Sequence, residues 1–322
     1  VGRDPATKPP PVATAAAVVS PGQRKTRGNG MGSVVVTGGS GKAGQATIRE
    51  LLDHGHRVLN VDAVPPREAL CHFLRADLND LGQAIDALRG SPGTVDRRRM
   101  PLGDADAVIH LAGIPAPGIA AESTTFQNNM MSTYNVFSAA LRSGIRRIVW
   151  ASSETVFGLP MTRTPPVFAP MTEDHAPAPE TGYALAKLLC EQMAREMHRW
   201  NPQTCFVGLR ISNIFTEADY AGIPGFQADP DSRKWNLWSW VDSRDVGQAC
   251  RLALDHPAAG AEVFTIAAAD TLMPTPSAEL MAQHFPGVPV SESLGRYDTL
   301  LSIAKARAVL GYAPRHTWRT QV

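Results

Sequence analysis

TGGSGKAG, residues 37–44, is the stretch on which the fold turns. Alone, a glycine cluster marks many loops. Here a β-branched run, SVVVT (33–37), stands before it, and residues 43–54 after it place Ala46, Ile48, Leu51 and Leu52 at helical spacing. Gly38, Gly41 and Gly44 thus fall as G-x-x-G-x-x-G between a strand and the mouth of a helix. Glycines there let the backbone turn sharply and approach a pyrophosphate, whose charge sits on the unpaired N–H groups of the helix start. The next strand, RVLNVD (57–62), closes on Asp62. A carboxylate at that point accepts hydrogen bonds from a ribose 2′-hydroxyl and repels a 2′-phosphate. The joint pattern predicts a dinucleotide site, with NAD preferred over NADP.

Outward from the loop the same rhythm continues. HFLRAD (72–77), DAVIHLAG (106–113), RIVWASS (147–153) and CFVGLRIS (205–212) read as further strands, with helices over 128–142 and 181–200. Six parallel strands separated by helices make an α/β fold, a doubly wound parallel sheet of Rossmann type. After Ile214 the alternation loosens into a Pro- and Trp-containing region, expected as a smaller C-terminal substrate lobe over 214–322. That lobe is read with a helix at 244–255, a strand at 262–266 and a last helix at 302–310. The NAD-binding domain is placed at 31–213, and the two lobes are expected to form one folded unit. Residues 1–30, rich in Pro, Ala and Gly without helical or strand period, are expected to be a disordered extension, with Met31 as the natural start. Residues 91–103 read as an inserted loop whose Arg97, Arg98 and Arg99 are solvated.

The chain has 322 residues, with 31 basic side chains against 30 acidic ones. So even a balance supplies no field for nucleic acid or an acidic membrane. No uninterrupted apolar run reaches the eighteen or so residues of a membrane span. Cys71, Cys190, Cys205 and Cys250 show no C-x-x-C spacing, so neither a metal site nor a disulfide framework is expected. They read as small core residues in a reducing compartment, the cytoplasm.

With the glycine loop and Asp62 in place, the chain resembles the extended short-chain dehydrogenase/reductases, the NAD-dependent epimerase/dehydratase family. Thr37 to Gly44 matches that family's T-G-x-x-G-x-x-G, with Lys42 where a large apolar residue is usual and Ala43 after it. The resemblance extends through ADL (Asp77, Leu78), HLAG (Leu111, Ala112, Gly113), NNMMSTYNV around Asn129, SSETVFG (152–158), YALAK (183–187), LRISN (209–213) and the terminal KARAVLGYAPRHTW. It implies that Asp77 and Leu78 border the adenine. It also implies that Asn129 braces the active-site helix and its proton relay, and that the protein is a homodimer through the two long helices flanking the fifth strand.

Tyr183 and Lys187 are four residues apart on a predicted helix and so share a face. A nearby ammonium stabilises a phenolate and is expected to draw the tyrosine pKa toward the working range, making Tyr183 an acid/base for a substrate hydroxyl. Ser153, at the C-terminal rim of the fifth strand, is by resemblance the hydroxyl that bonds the substrate oxygen, with Ser152 as its competitor. His110 reads as a packed strand-end residue outside the catalytic set.

The family's hexose 4,6-dehydratases carry an Asp-Glu pair after the active-site Thr; here Glu154 and Thr155 stand there, so dehydration ranks last among its reactions. Its nucleotide-sugar enzymes use an Asn after the sixth strand, matched by Asn213, and an Arg that grips the diphosphate. Aligning the motif on Asp245 puts Trp238 at that Arg, with Arg233 and Lys234 close by. Trp235, Trp238 and Trp240 suit a smaller, less charged substrate or a packed lid. The substrate set is therefore Ser153, Glu154, Thr155, Asn213, Arg233 and Trp238. The expected activity is hydride exchange between NAD and a carbinol or carbonyl carbon of a sugar, sugar acid or related small hydroxy compound. The alternatives are a nucleotide-sugar epimerase that retains its NAD and a non-catalytic NAD-binding regulator.

Overall fold

Every residue of Ser33–Thr37 (β1) is buried, the mark of a strand covered on both faces. In the computed structural model, which describes residues 32–89, 105–257 and 259–320, β1 lies inside a parallel sheet. The chain runs through Lys42–Asp53 (α1), Arg57–Asp62 (β2), His72–Arg75 (β3), Leu81–Arg89 (α2), Ala107–His110 (β4) and Glu122–Arg142 (α3). It continues through Arg147–Ser153 (β5), Gly182–Trp200 (α4), Cys205–Ile211 (β6), Ile214–Phe215 (β7), Ile223–Ala228 (α5), Asp231–Lys234 (α6) and Val241–Asp242 (β8). Ser243–Leu254 (α7), Gly260–Ile266 (β9), Ser277–His284 (α8) and Ala304–Leu310 (α9) complete it. The main sheet has seven strands in the order β3-β2-β1-β4-β5-β6-β9, and β7 pairs with β8 beside it.

Side chains along a strand alternate between faces, and the sheet sorts them accordingly. Val34, Val36, Ile109, Val149, Val207 and Leu209 join the core that holds Ile48 and Leu51 of α1 and Val246 and Ala249 of α7. Val35, Leu59, Val61, Val108, Ile148 and Trp150 join the other, with Phe137 and Ala140 of α3 and Cys190 and Ala194 of α4. The backbones of α1 and α7 approach closely because position 247 is glycine; a Cβ there would stand 2.8 Å from the Ala46 carbonyl oxygen. A third, smaller core gathers Phe215, Tyr220, Ile223, Trp240, Leu272 and Trp318.

Two elements depart from the sequence expectation. The strand read at 262–266 within the substrate lobe is the seventh strand of the main sheet, paired in parallel with β6 from Cys205↔Gly260 to Ile211↔Ile266. The reason is that all seven residues of β6 are buried, so its second edge needs a covering strand. Helix α3 starts at Glu122 rather than at 128, because the intervening turns are mostly exposed and polar and carry no apolar period. The proposed extension over 1–30 and the inserted loop over 91–103 lie outside the described residues. Among the described residues, no helix is long and apolar enough to cross a membrane.

Candidate active site

The glycine loop shows a division of labour. Gly38 has φ 71°, and a Cβ on it would lie 2.4 Å from the Ala112 backbone nitrogen, so it serves both the turn and the close passage of the segment after β4. A Cβ on Gly44 would lie 2.2 Å from the Gly38 carbonyl oxygen, so this glycine seats α1 against the loop. Gly41 differs: its Cβ would meet only the Gly38 oxygen, at 3.5 Å. It is the N-cap of α1, which has no side-chain cap and no acidic residue in its first turn. The helix start, residues Lys42, Ala43 and Gly44, therefore presents backbone N–H groups to an open mouth, the arrangement that suits a phosphate.

Asp62 ends β2 beside this mouth, and its carboxylate accepts from the Ser40 N–H at 3.0 Å and the Val64 N–H at 3.2 Å. On the other side Leu111 donates its N–H to the Thr37 carbonyl at 2.9 Å, carrying Ala112 and Gly113 past Gly38. Asp77 is exposed and accepts from the Asn79 N–H, while buried Leu78 accepts from Asn135 Nδ2 at 2.9 Å. Asn129 is placed differently from its expected role. Its amide accepts from the Ile114 N–H at 2.8 Å and from Asn128 Nδ2 at 3.0 Å and donates to the Ile114 carbonyl at 3.0 Å, so its side chain braces the loop after β4 and not the helix that carries Tyr183. His110 sits fully buried between Thr37 Oγ1 and Thr133 Oγ1, held neutral with its pKa lowered to about 3 by burial, with the Lys187 charge adding to the shift.

Thr181 caps α4 through a 3.1 Å bond from the Ala184 N–H, which sets Tyr183 in the first turn and Lys187 one turn on. Ser153 is near enough to Tyr183 to act on its pKa, and its Oγ accepts from the Thr155 N–H at 3.2 Å and Thr155 Oγ1 at 3.0 Å. Its neighbour Ser152 points to the opposite face, where its hydroxyl donates to Glu191 at 2.6 Å within the buried Glu191–Arg210 ion pair. Of the two serines, Ser153 is therefore the one on the Tyr183 side of the strand. The expected lowering of the tyrosine pKa is not what the geometry does. Burial dominates and pushes Tyr183 up to about 12, against a smaller downward pull from Ser153. The Lys187 ammonium lies 5.7 Å from the Tyr183 ring centre and donates to the Ala151 carbonyl at 2.7 Å, and burial lowers its own pKa.

Next to Ser153, the Glu154 carboxyl accepts from Ser212 Oγ at 2.5 Å and Asn236 Nδ2 at 3.3 Å. Burial raises its pKa to about 7, partly offset by the Ser212 bond and the Arg233 charge. Asn213 accepts from Arg233 Nη1 at 3.0 Å, and Arg233 Nη2 donates to the Ser239 carbonyl at 3.0 Å. Trp238 is corrected: it has no exposed surface, donates Nε1 to the Pro230 carbonyl at 2.8 Å and packs on Phe285, so it is a core residue and not a substrate contact. The main chain at Leu237 and Trp238 has φ 54° and 52°, which turns the indole inward. Motif reading assigned no role to Ser212, Asn236 or Ser239, although Ser212 lies within LRISN. Only Ser212 carried a signal, its place at the rim of the sixth strand.

The comparisons with known proteins follow the same lines. The family described as NAD dependent epimerase/dehydratase matches residues 34–267. The chain is 30% identical to a UDP-glucose 4-epimerase of Bacillus subtilis (strain 168) over 242 residues, which is 70% of this chain and 65% of that protein. It is 31% identical to UDP-glucose 4-epimerase 3 of Oryza sativa subsp. japonica over 247 residues, 71% of this chain and 63% of that one. The match therefore spans a little under two thirds of these relatives' length. Among solved structures, a short-chain dehydrogenase/reductase superfamily protein from Agrobacterium tumefaciens, with bound NAD, superposes with TM-score 0.64 at 25% identity, covering 89% of this chain and 94% of that one. The chain belongs to the NAD-dependent epimerase/dehydratase family.

Proposed function

We propose that this protein is an NAD-dependent oxidoreductase acting on a carbinol or carbonyl carbon of a sugar, sugar acid or related small hydroxy compound. The observation that carries the reading is Tyr183 and Lys187 one turn apart on α4, with the Lys187 ammonium bonded to the Ala151 carbonyl two residues before Ser153 at the end of β5. The cradle fits the cofactor: Gly41 leaves the helix mouth clear, the first turn of α1 supplies N–H groups, and Asp62 stands where a ribose hydroxyl binds. NAD, when bound, supplies the hydride acceptor. Ser153 orients the substrate oxygen, and Tyr183 exchanges its proton. Because burial holds Tyr183 protonated, the resting site is ready to donate to a carbonyl. Oxidation of a carbinol first requires the phenol to lose its proton. The phenolate fraction rises tenfold per pH unit below about 12, so the oxidation rate is expected to climb from pH 7 toward pH 10.

A nucleotide-sugar epimerase with retained NAD is the second reading, favoured by the UDP-glucose 4-epimerase relatives. Against it, the position of the diphosphate-gripping Arg holds Trp238, sealed in the core. Adding candidate sugars and sugar acids to the protein with NAD, and following NADH absorbance, separates the two. Net NADH supports the oxidoreductase. No NADH, with NAD carried through purification and UDP-glucose converted to UDP-galactose, overturns it. As part of the same reading the protein is a cytoplasmic homodimer. The four cysteines are unpaired, and Met131 and Tyr134 of α3 with Leu185 and Leu189 of α4, each about two-fifths exposed, offer an apolar face. Sedimentation as a monomer at micromolar concentration would count against the dimer.

A further inference from the structure

Lys42 is the one cation in TGGSGKAG, and its charge does little for the fold. It opens α1 directly after the Gly41 N-cap, where the helix dipole is positive and a basic side chain is unfavourable. Its ammonium donates to Asp219 Oδ2 at 2.7 Å, in a pair whose side chains are 53% and 34% exposed. Exposed pairs add little stability, of the same order as a cation at a helix start gives away. Lys42 is therefore close to neutral for the folded chain, and its use lies in what it does beside the glycine loop. Asp219, for its part, does not need Lys42. The same Oδ2 accepts from the Thr216 N–H and from Thr216 Oγ1, each at 2.7 Å, which closes a capping box on the turn Glu217–Gly222. Tyr220 in that turn donates its hydroxyl at 2.7 Å to Asp242, the N-cap of α7, and α7 packs on α1 where Gly247 meets Ala46. The carboxylate is thus fixed against the helix that carries Lys42, and of its three bonds the one from Lys42 is replaceable. A long, flexible cation held on a fixed anion beside an uncapped helix start is available to a stronger anion. The doubly negative pyrophosphate of NAD is that anion at this mouth.

We propose that the Lys42 ammonium is the counter-ion of the dinucleotide's pyrophosphate, held by Asp219 in the free protein and exchanged onto the phosphate when NAD binds. The inference rests on the cofactor cradle of the proposed function and on neither reaction in particular. Backbone N–H groups of the helix start give the phosphate its direction, and the ammonium gives it charge. Asp219 competes for the same ammonium and so sets the affinity from outside the cradle. Because NAD and NADP share the pyrophosphate, Lys42 acts on both alike, in contrast to the role given to Asp62.

The test uses the full chain, with calorimetric affinities for NAD, NADP and adenosine and a salt series for NAD. At low ionic strength Lys42→Met should weaken NAD and NADP by one factor, about three- to tenfold, and leave adenosine and the melting temperature nearly unchanged. It should also flatten the fall of NAD affinity with salt, because an exposed ammonium is screened by added ions. Lys42→Arg should restore most of the loss. Asp219→Asn keeps an oxygen for Thr216 and releases the ammonium, so NAD should bind about twofold or more tighter. A Lys42→Met protein that binds NAD as the unaltered chain does, that loses NAD and adenosine by the same factor, or that loses NADP more than NAD would overturn the proposal. So would unchanged or weaker NAD binding in Asp219→Asn. Where adenosine binds too weakly to measure, the salt series decides, and where Asp219→Asn fails to fold by circular dichroism, the two Lys42 variants decide. If the purified chain already carries NAD, the fraction retained through gel filtration at rising salt is read in place of the affinity. Undiminished NAD binding in Lys42→Met sinks this inference alone; an unaltered chain that binds no dinucleotide sinks the cradle with it.

Discussion

At the proposed cofactor end, Gly38, Gly41 and Gly44 act through the atoms they lack, whereas at the proposed substrate end Glu154, Asn213, Arg233 and Asn236 would act through side chains drawn from separate segments. The first is a local device. Its three glycines lie within seven residues of chain, and each can be tied to a backbone approach or an opening. The second exists only after the strand ends, the turn after β5 and the short helix α6 have come together. A site made by backbone is written as a spacing, while a site made by long-range packing leaves no period. Tyr183 stands between the two, positioned by a helix cap and completed by Ser153.

The contrast breaks most visibly at that meeting point. Tyr183→Phe is expected to lower turnover about 10²- to 10⁴-fold, the usual worth of general acid/base catalysis, with NAD affinity nearly unchanged because the glycine loop and Asp62 do not depend on the phenol oxygen. A variant that turns over normally would remove the proposed mechanism.

Next come the glycines. Gly38→Ala forces a side chain into positive φ and against the Ala112 nitrogen, a cost of about 2–5 kcal/mol from left-handed strain and overpacking together, read as a fall in melting temperature. Gly41→Ala adds a methyl that meets only the Gly38 oxygen at ordinary contact distance, so the loss should stay below about 1 kcal/mol. Yet its NAD affinity should drop tenfold or more, because the methyl occupies the mouth. A Gly41→Ala protein that binds NAD normally would mean that the open mouth is not the phosphate site.

Legibility follows the same line. The strands, the loop, Asp62 and the Tyr183–Lys187 pair could be read because each is a local pattern. The placement of β9 could not, since a fully buried β6 needs a neighbour that the chain supplies fifty residues later. Trp238 misled because an indole near a strand end serves a lid or a core equally well until the backbone turn at Leu237 is known. The tyrosine pKa misled for a related reason. Helical spacing places Lys187 near Tyr183, but burial, which spacing does not report, governs the phenol. Asn129 kept its place in the motif and changed its partner to Ile114.

One residue of register divides Ser152 from Ser153. Ser152→Ala removes a hydrogen bond to the buried Glu191 carboxylate and should cost about 1.5–3 kcal/mol of stability, while the Glu191–Arg210 pair remains. Ser153→Ala should spare most of the stability and lower turnover instead, by about 10-fold or more, through the lost orientation of the substrate oxygen. Denaturation midpoints and kcat measured on both variants give the answer, and the reverse assignment of losses would place Ser152 in the site.

The smallest effect belongs to Asp62, where charge and scaffold have to be separated. Its carboxylate holds the Ser40 and Val64 N–H groups, so Asp62→Ala both removes the repulsion of a 2′-phosphate and loosens the turn beside the glycine loop. Asp62→Asn keeps an oxygen for the turn and discards the charge. If repulsion sets the cofactor choice, the NAD-over-NADP affinity ratio should fall about tenfold in Asp62→Asn, equivalent to about 1.4 kcal/mol, with the melting temperature nearly unchanged. Asp62→Ala should show the same ratio with weaker binding of both dinucleotides. A ratio that survives in Asp62→Asn and collapses only in Asp62→Ala would assign the preference to the shape of the loop, making even this side chain part of the backbone-built half of the site.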